Sequence, residues 1–148
     1  MTIPSDLPEI ERFTARDGEP LALRIYPSAS ERVLIFVHGS SYHGGAYHAL
    51  ARHISDAGAA TVVVPNLRGH HLSGTRRGDV DYVGQLEDDL ADLIATLRER
   101  GMSGPLILGG HSSGGGMVIR FAGGEHGTLI DHALMMAPIK KNLLDSIA

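Results

Sequence analysis

Residues 105–122 read Pro105-Leu106-Ile107-Leu108-Gly109-Gly110-His111-Ser112-Ser113-Gly114-Gly115-Gly116-Met117-Val118-Ile119-Arg120-Phe121-Ala122. The first five form a short apolar run of the kind buried in a sheet, and the run from Gly115 has helical spacing. Between them lies G-x-S-x-G, at the point where a strand turns sharply into a helix. That context lifts a serine to the carboxyl end of a sheet, above a helix N-terminus. The turn constrains the serine backbone and requires small neighbours. Gly110 and Gly114 meet that need, because a side chain would keep strand and helix apart.

Working outward, the rest of the chain alternates strands and helices. Residues 9–16 alternate and predict a strand, Asp17-Gly18 a turn, and residues 21–26 a second strand, with Leu21, Leu23 and Ile25 on one face and Ala22, Arg24 and Tyr26 on the other. The two predict a β-hairpin. Val33-Leu34-Ile35-Phe36-Val37 is continuously apolar, as in a strand covered on both faces. A helix is expected over 46–57, ended by Gly58, and a buried strand over 61–64. The clearest helix is expected over 81–100. Leu86, Leu90, Leu93, Ile94 and Leu97 form its apolar stripe, and the acids Glu87, Asp88, Asp89 and Asp92 are expected on a solvated face. Residues 130–137 predict a last apolar strand. A hairpin followed by repeated strand-helix units predicts an α/β architecture of about six strands, with a largely parallel sheet. Its ligands would bind at the carboxyl ends of the strands, from which the loops after Val37, Pro65 and Gly109 all leave.

Composition narrows the function. One domain is expected from 148 residues, of which 43% are hydrophobic and 20% charged. A net charge of −4 and a pI near 6.1, with no basic patch, argue against nucleic acid. The absence of cysteine excludes disulfides, thiolate metal sites and cysteine nucleophiles, and fits a cytoplasmic protein. No signal peptide is apparent in the first residues. No apolar run approaches the eighteen or so residues of a membrane span.

The set His38-Gly39 after the third strand, Asn66-Leu67-Arg68-Gly69-His70-His71-Leu72-Ser73 after the fourth and Gly110-His111-Ser112-Ser113-Gly114 after the fifth resembles the α/β-hydrolases. Within them it is similar to the branch of serine aminopeptidases, monoglyceride lipases and lysophospholipases. That branch usually carries P-D-x-R-G-x-G-x-S after the fourth strand; here Asn66 stands for the aspartate and His71 for the second glycine. The resemblance covers about residues 9–138. It implies an α/β-hydrolase fold with Ser112 as nucleophile and the backbone N–H groups of Ser113 and Ser40 as oxyanion donors, each worth about 3 kcal/mol. It places His38, Gly39 and His43 along the substrate site. Substrates would be small-molecule esters, lipids or peptides: a lysophospholipid, a monoglyceride or a peptide N-terminus. No cofactor is implied.

In such a fold the acid and the histidine of the triad follow the serine. Asp131, His132 and His126 are expected at the amino ends of strands, Asp145 has no histidine after it, and His111 should point away from the turn as a structural residue. A serine–histidine dyad with His38, His43, His70, His71 or His111 needs Nε2 within about 3 Å of Oγ. The resemblance therefore implies an incomplete domain over residues 1–148, the N-terminal part of a hydrolase whose C-terminal strands and cap are missing. An alternative is a pseudoenzyme scaffold that self-associates through an open last strand bearing Leu134, Met135 and Met136. A metal cluster of His70-His71 with His38 or His43 is conceivable, but no H-E-x-x-H and no i, i+4 histidine pair occurs, so no metal is assigned. The glycine-rich turn lacks the lysine of a phosphate-binding loop.

Overall fold

A computed structural model describes residues 7–38, 47–69, 81–111 and 113–136. Six strands form one sheet: β1 (Glu11–Thr14), β2 (Pro20–Tyr26), β3 (Val33–Val37), β4 (Thr61–Pro65), β5 (Leu106–His111) and β6 (His132–Met136). Their order across the sheet is β1-β2-β4-β3-β5-β6. The β1–β2 hairpin pairs antiparallel and joins β4 antiparallel, while β3–β4, β3–β5 and β5–β6 are parallel. Among the described residues, three α-helices connect them, α1 (His48–Asp56), α2 (Gln85–Glu99) and α3 (Ser113–Gly123), with a short 3₁₀ turn over Gly127–Leu129 before β6. This is the mostly parallel sheet with an N-terminal hairpin that the sequence predicts.

Strand parity divides the core into two layers, because successive side chains point to opposite faces. Leu21, Leu23, Val33, Ile35, Val37, Val63, Leu106 and Leu108 meet Leu90, Leu93, Ile94 and Leu97 of α2 and Met117, Val118 and Phe121 of α3. On the other face Tyr26, Leu34, Phe36, Val62 and Val64 meet Ala51, Leu50 and Ile54 of α1. The central strands are apolar throughout because both of their faces are covered.

Two expectations change. Helix α2 begins at Gln85 rather than 81, because Gly84 turns the chain at φ 92°, in the left-handed region. Gln85 reaches back across that turn: its Oε1 accepts the Asp81 N–H at 2.6 Å and its Nε2 donates to Asp81 Oδ2 at 3.2 Å. The acids of α2 also do not form a solvated face. Asp88 and Asp89 are buried, and each of the four acids is paired: Glu87 with Arg120, Asp88 with Tyr82 and His126, Asp89 with Arg68 and Asp92 with Arg16. Buried carboxylates persist only with such partners, and all of these but Tyr82 come from distant parts of the chain.

Candidate active site

The chain moves from β3 outward to β4 and then returns to place β5 on the other side of β3. The sheet therefore reverses its winding between β3 and β5. In open α/β sheets, ligands bind at such a reversal, outside the carboxyl ends of the strands. His38 follows β3 at that point, and β5 ends at His111 with α3 starting at Ser113.

The turn between β5 and α3 is as tight as the glycine spacing requires. A Cβ on Gly110 would collide with the backbone of Gly114 and Gly115, and one on Gly114 with the carbonyls of Val37 and His38. The first turn of α3 thus packs directly on the end of β3. Ser113 is exposed at the first position of α3, where N–H groups point out of the helix start and not into its own ladder. Ser112, Ser40, Gly39 and His43 lie outside the described residues, as do His70, His71 and Asp145.

His38 is buried, and its Nε2 accepts the Leu67 N–H at 3.0 Å. Nε2 is therefore the unprotonated nitrogen, and the ring ties the end of β3 to the loop after β4. His111 turns toward α1, as a structural residue should: its Nδ1 lies 3.1 Å from the Tyr47 hydroxyl, with the rings edge-to-face at 5.8 Å. Tyr47 in turn packs on Phe36 of β3. The loop after β4 is fixed from below. The Asn66 N–H donates to Ala22 O at 2.9 Å. The Arg68 guanidinium donates to both oxygens of Asp89, each at 2.8 Å, and to both of Asp17 at 3.0 and 3.1 Å.

That buried clamp joins the β4 loop, the β1–β2 turn and α2. Its hydrogen bonds hold the Asp17 carboxyl below the usual carboxylate range. Burial pushes Asp89 up, opposed by its two bonds from Arg68. Arg68 stands in the quoted N-L-R-G stretch, but neither of its carboxylate partners is near it in sequence.

The residues that follow the serine are engaged elsewhere. The Asp131 carboxylate accepts the Leu106 N–H at 2.8 Å, at the amino end of β5. His132 is the exposed first residue of β6, paired with Ile107. His126 Nε2 lies 2.8 Å from Asp88 Oδ1, between the turn after α3 and helix α2.

Known proteins share this fold. The family model described as "Serine aminopeptidase, S33" matches residues 28–144. A monoacylglycerol lipase of Mycolicibacterium smegmatis is 29% identical over 101 residues, 66% of this chain and 36% of that protein. A soluble variant of monoglyceride lipase from Saccharomyces cerevisiae, solved with a substrate analogue, superposes with a TM-score of 0.70 at 22% identity, over 91% of this chain and 45% of that one. A lidless α/β serine hydrolase from Xanthomonas campestris gives 0.69 at 23% identity, over 93% and 64%. The two structural likenesses carry the α/β-hydrolase fold. This chain spans about a third to two thirds of the length of these relatives.

Proposed function

Because this chain belongs to the serine aminopeptidase family of α/β-hydrolases, we propose that it works through Ser112 as the nucleophile of carboxylic ester hydrolysis. The observation that carries the reading is the packing around Gly110 and Gly114, whose missing side chains let β5 turn straight into α3 against the end of β3. A tight strand-to-helix turn beside the winding reversal of the sheet is the context a nucleophile elbow requires, which supports this reading. The Ser112 Oγ attacks the ester carbonyl, the N–H groups of Ser113 and Ser40 take the developing oxyanion, and His38, Gly39 and His43 border the substrate. A small lipid ester such as a monoglyceride is the favoured substrate, on the relatedness to the Mycolicibacterium lipase. A lysophospholipid or a peptide N-terminus is the family alternative. The cysteine-free composition supports a cytoplasmic setting.

The proton of Ser112 needs an acceptor. Among the described residues after it, Asp131 and His126 hold other partners and His132 lies at the amino end of β6. Ester turnover by this chain alone is therefore expected at the residual level left by an oxyanion hole and binding, about 10³–10⁴-fold over water. A fluorophosphonate probe read by intact mass tests the nucleophile, with Ser112→Ala alongside and circular dichroism confirming the fold. Slow labelling that disappears in Ser112→Ala supports the assignment. Labelling that persists in the variant, or none on folded protein at long exposure, removes it.

A second reading, self-association, is favoured by β6. Its first four residues are exposed, and Leu134 and Met135, which point to opposite faces, are 46% and 56% accessible. A two-fold axis beside this strand would pair β6 antiparallel with its copy and continue the sheet. Sedimentation equilibrium showing a mass that rises with concentration supports this reading, and a constant monomer mass ends it.

A further inference from the structure

We propose that Asp88, Glu125 and His126 form a divalent metal site, one that takes Zn²⁺ in preference to Ca²⁺ or Mg²⁺. The three come from two separate segments, the first turn of α2 and the turn after α3, 38 positions apart for the Asp88–His126 pair. One ligand atom from each lies within 4.8 Å of the others. His126 Nε2 stands 2.8 Å from Asp88 Oδ1 and 3.6 Å from Glu125 Oε1. With metal–ligand bonds of about 2.0–2.2 Å, tetrahedral ligands sit roughly 3.3–3.5 Å apart. The observed separations bracket that range, so small side-chain shifts complete the geometry.

Asp88 Oδ2 is held from behind by the Tyr82 O–H at 2.6 Å and by Arg16 Nη1 at 3.4 Å. Oδ1 is left for the site, in the way that outer partners orient a ligating carboxylate. The Phe121 ring lies against the His126 ring at 5.8 Å and 30°, which limits its rotation. A cavity of about 190 Å³ adjoins all three residues, room for water to fill the remaining coordination position. Of the two arginines nearby, Arg16 bridges Asp92 and Asp88 Oδ2, leaving Oδ1 to the site, and Arg120 is engaged by Glu87. The ion takes the place of the hydrogen between His126 Nε2 and Asp88 Oδ1, and the imidazole carries its proton on Nδ1. The imidazole nitrogen is the ligand that favours zinc over the hard, oxygen-seeking cations.

Calorimetric titration of the protein with Zn²⁺, Ca²⁺ and Mg²⁺ separately is the test, with Co²⁺ as a spectroscopic probe of coordination. Expected are one equivalent of saturable Zn²⁺ binding, no comparable binding of Ca²⁺ or Mg²⁺, and a visible Co²⁺ spectrum of tetrahedral intensity. Glu125→Gln, whose parent side chain is 81% accessible and so can change without disturbing the fold, should weaken Zn²⁺ binding at least tenfold. His126→Asn should abolish it, with circular dichroism unchanged. No saturable Zn²⁺ binding by the parent protein overturns the site. Binding that Glu125→Gln or His126→Asn leaves intact overturns it equally, since other histidines would then be holding the ion.

Discussion

A methyl group added to Gly114 would meet the carbonyl oxygens of Val37 and His38, main-chain atoms that cannot swing aside. Two positions along the same helix, Gly116 is exposed and a Cβ there meets nothing within 4 Å. The two glycines should therefore respond in opposite directions. Gly114→Ala is expected to destabilise the fold by about 1–3 kcal/mol or more, as backbone overpacking does. Gly116→Ala is expected to stabilise it by about 0.5–1 kcal/mol, through the ordinary preference of a helix for alanine. Urea denaturation of both variants measures the contrast. Equal responses would mean that the turn between β5 and α3 is not held by close backbone approach.

At the scale of elements, the Arg68 clamp decides how the loop after β4, the β1–β2 turn and α2 stay together. Arg68→Met leaves Asp89 buried without its counter-charge, which costs about 3–5 kcal/mol at neutral pH. The steepness of the pH response near neutrality separates variant from parent. In the parent, Asp17 is held down by its bonds from Arg68, and Asp88 by the Tyr82 hydroxyl and His126. Depressed carboxyls contribute stability that is present above about pH 4 and lost as pH falls through their folded values. In Arg68→Met the unpaired Asp89 keeps a proton that the unfolded chain gives up, so stability should fall as pH rises from 5 to 7. Denaturation series at several pH values should show a steeper decline in the variant than in the parent, whose Asp89 is already pushed up by burial but opposed by Arg68; equal slopes would mean that Asp89 is solvated in the variant.

The elements themselves were legible in the sequence. The 2-residue parity of Leu21, Leu23 and Ile25, the unbroken Val33–Val37 run and the stripe from Leu86 to Leu97 each state which face is buried. The glycines at 110 and 114 announced the turn. The fate of the acids on α2 was not legible. Asp88 and Asp89 look like solvent-facing charges until His126 and Arg68 are brought to them by the fold, and the Asp88–Glu125–His126 grouping is invisible for the same reason. Local pattern encodes burial by hydrophobic residues well. It does not encode which distant partner neutralises a charge.

For the whole molecule, the sheet ends differently on its two sides. β1 is a four-residue edge, with Arg12 and Thr14 exposed, a short and polar border of the kind that discourages pairing. β6 offers apolar side chains on both faces. Met135→Lys, which puts a charge on that strand, is expected to reduce any concentration-dependent association while leaving the circular dichroism spectrum unchanged. Sedimentation of the variant beside the parent checks this, and identical association by the two would place the contact elsewhere.

The position of β3 also has a history in time. Its two neighbours arrive very unequally: β4 follows within a few tens of residues, whereas the register Val33↔Leu106 joins segments about seventy residues apart. At typical synthesis rates of roughly 5–20 residues per second, that interval is on the order of 4–15 s. While the chain emerges from the ribosome, the strand destined for the centre of the sheet is for that long an open border, with its amides and carbonyls on offer. Newborn chains are vulnerable in that window. Whatever keeps them from joining one another must act until β5 has emerged and paired with β3.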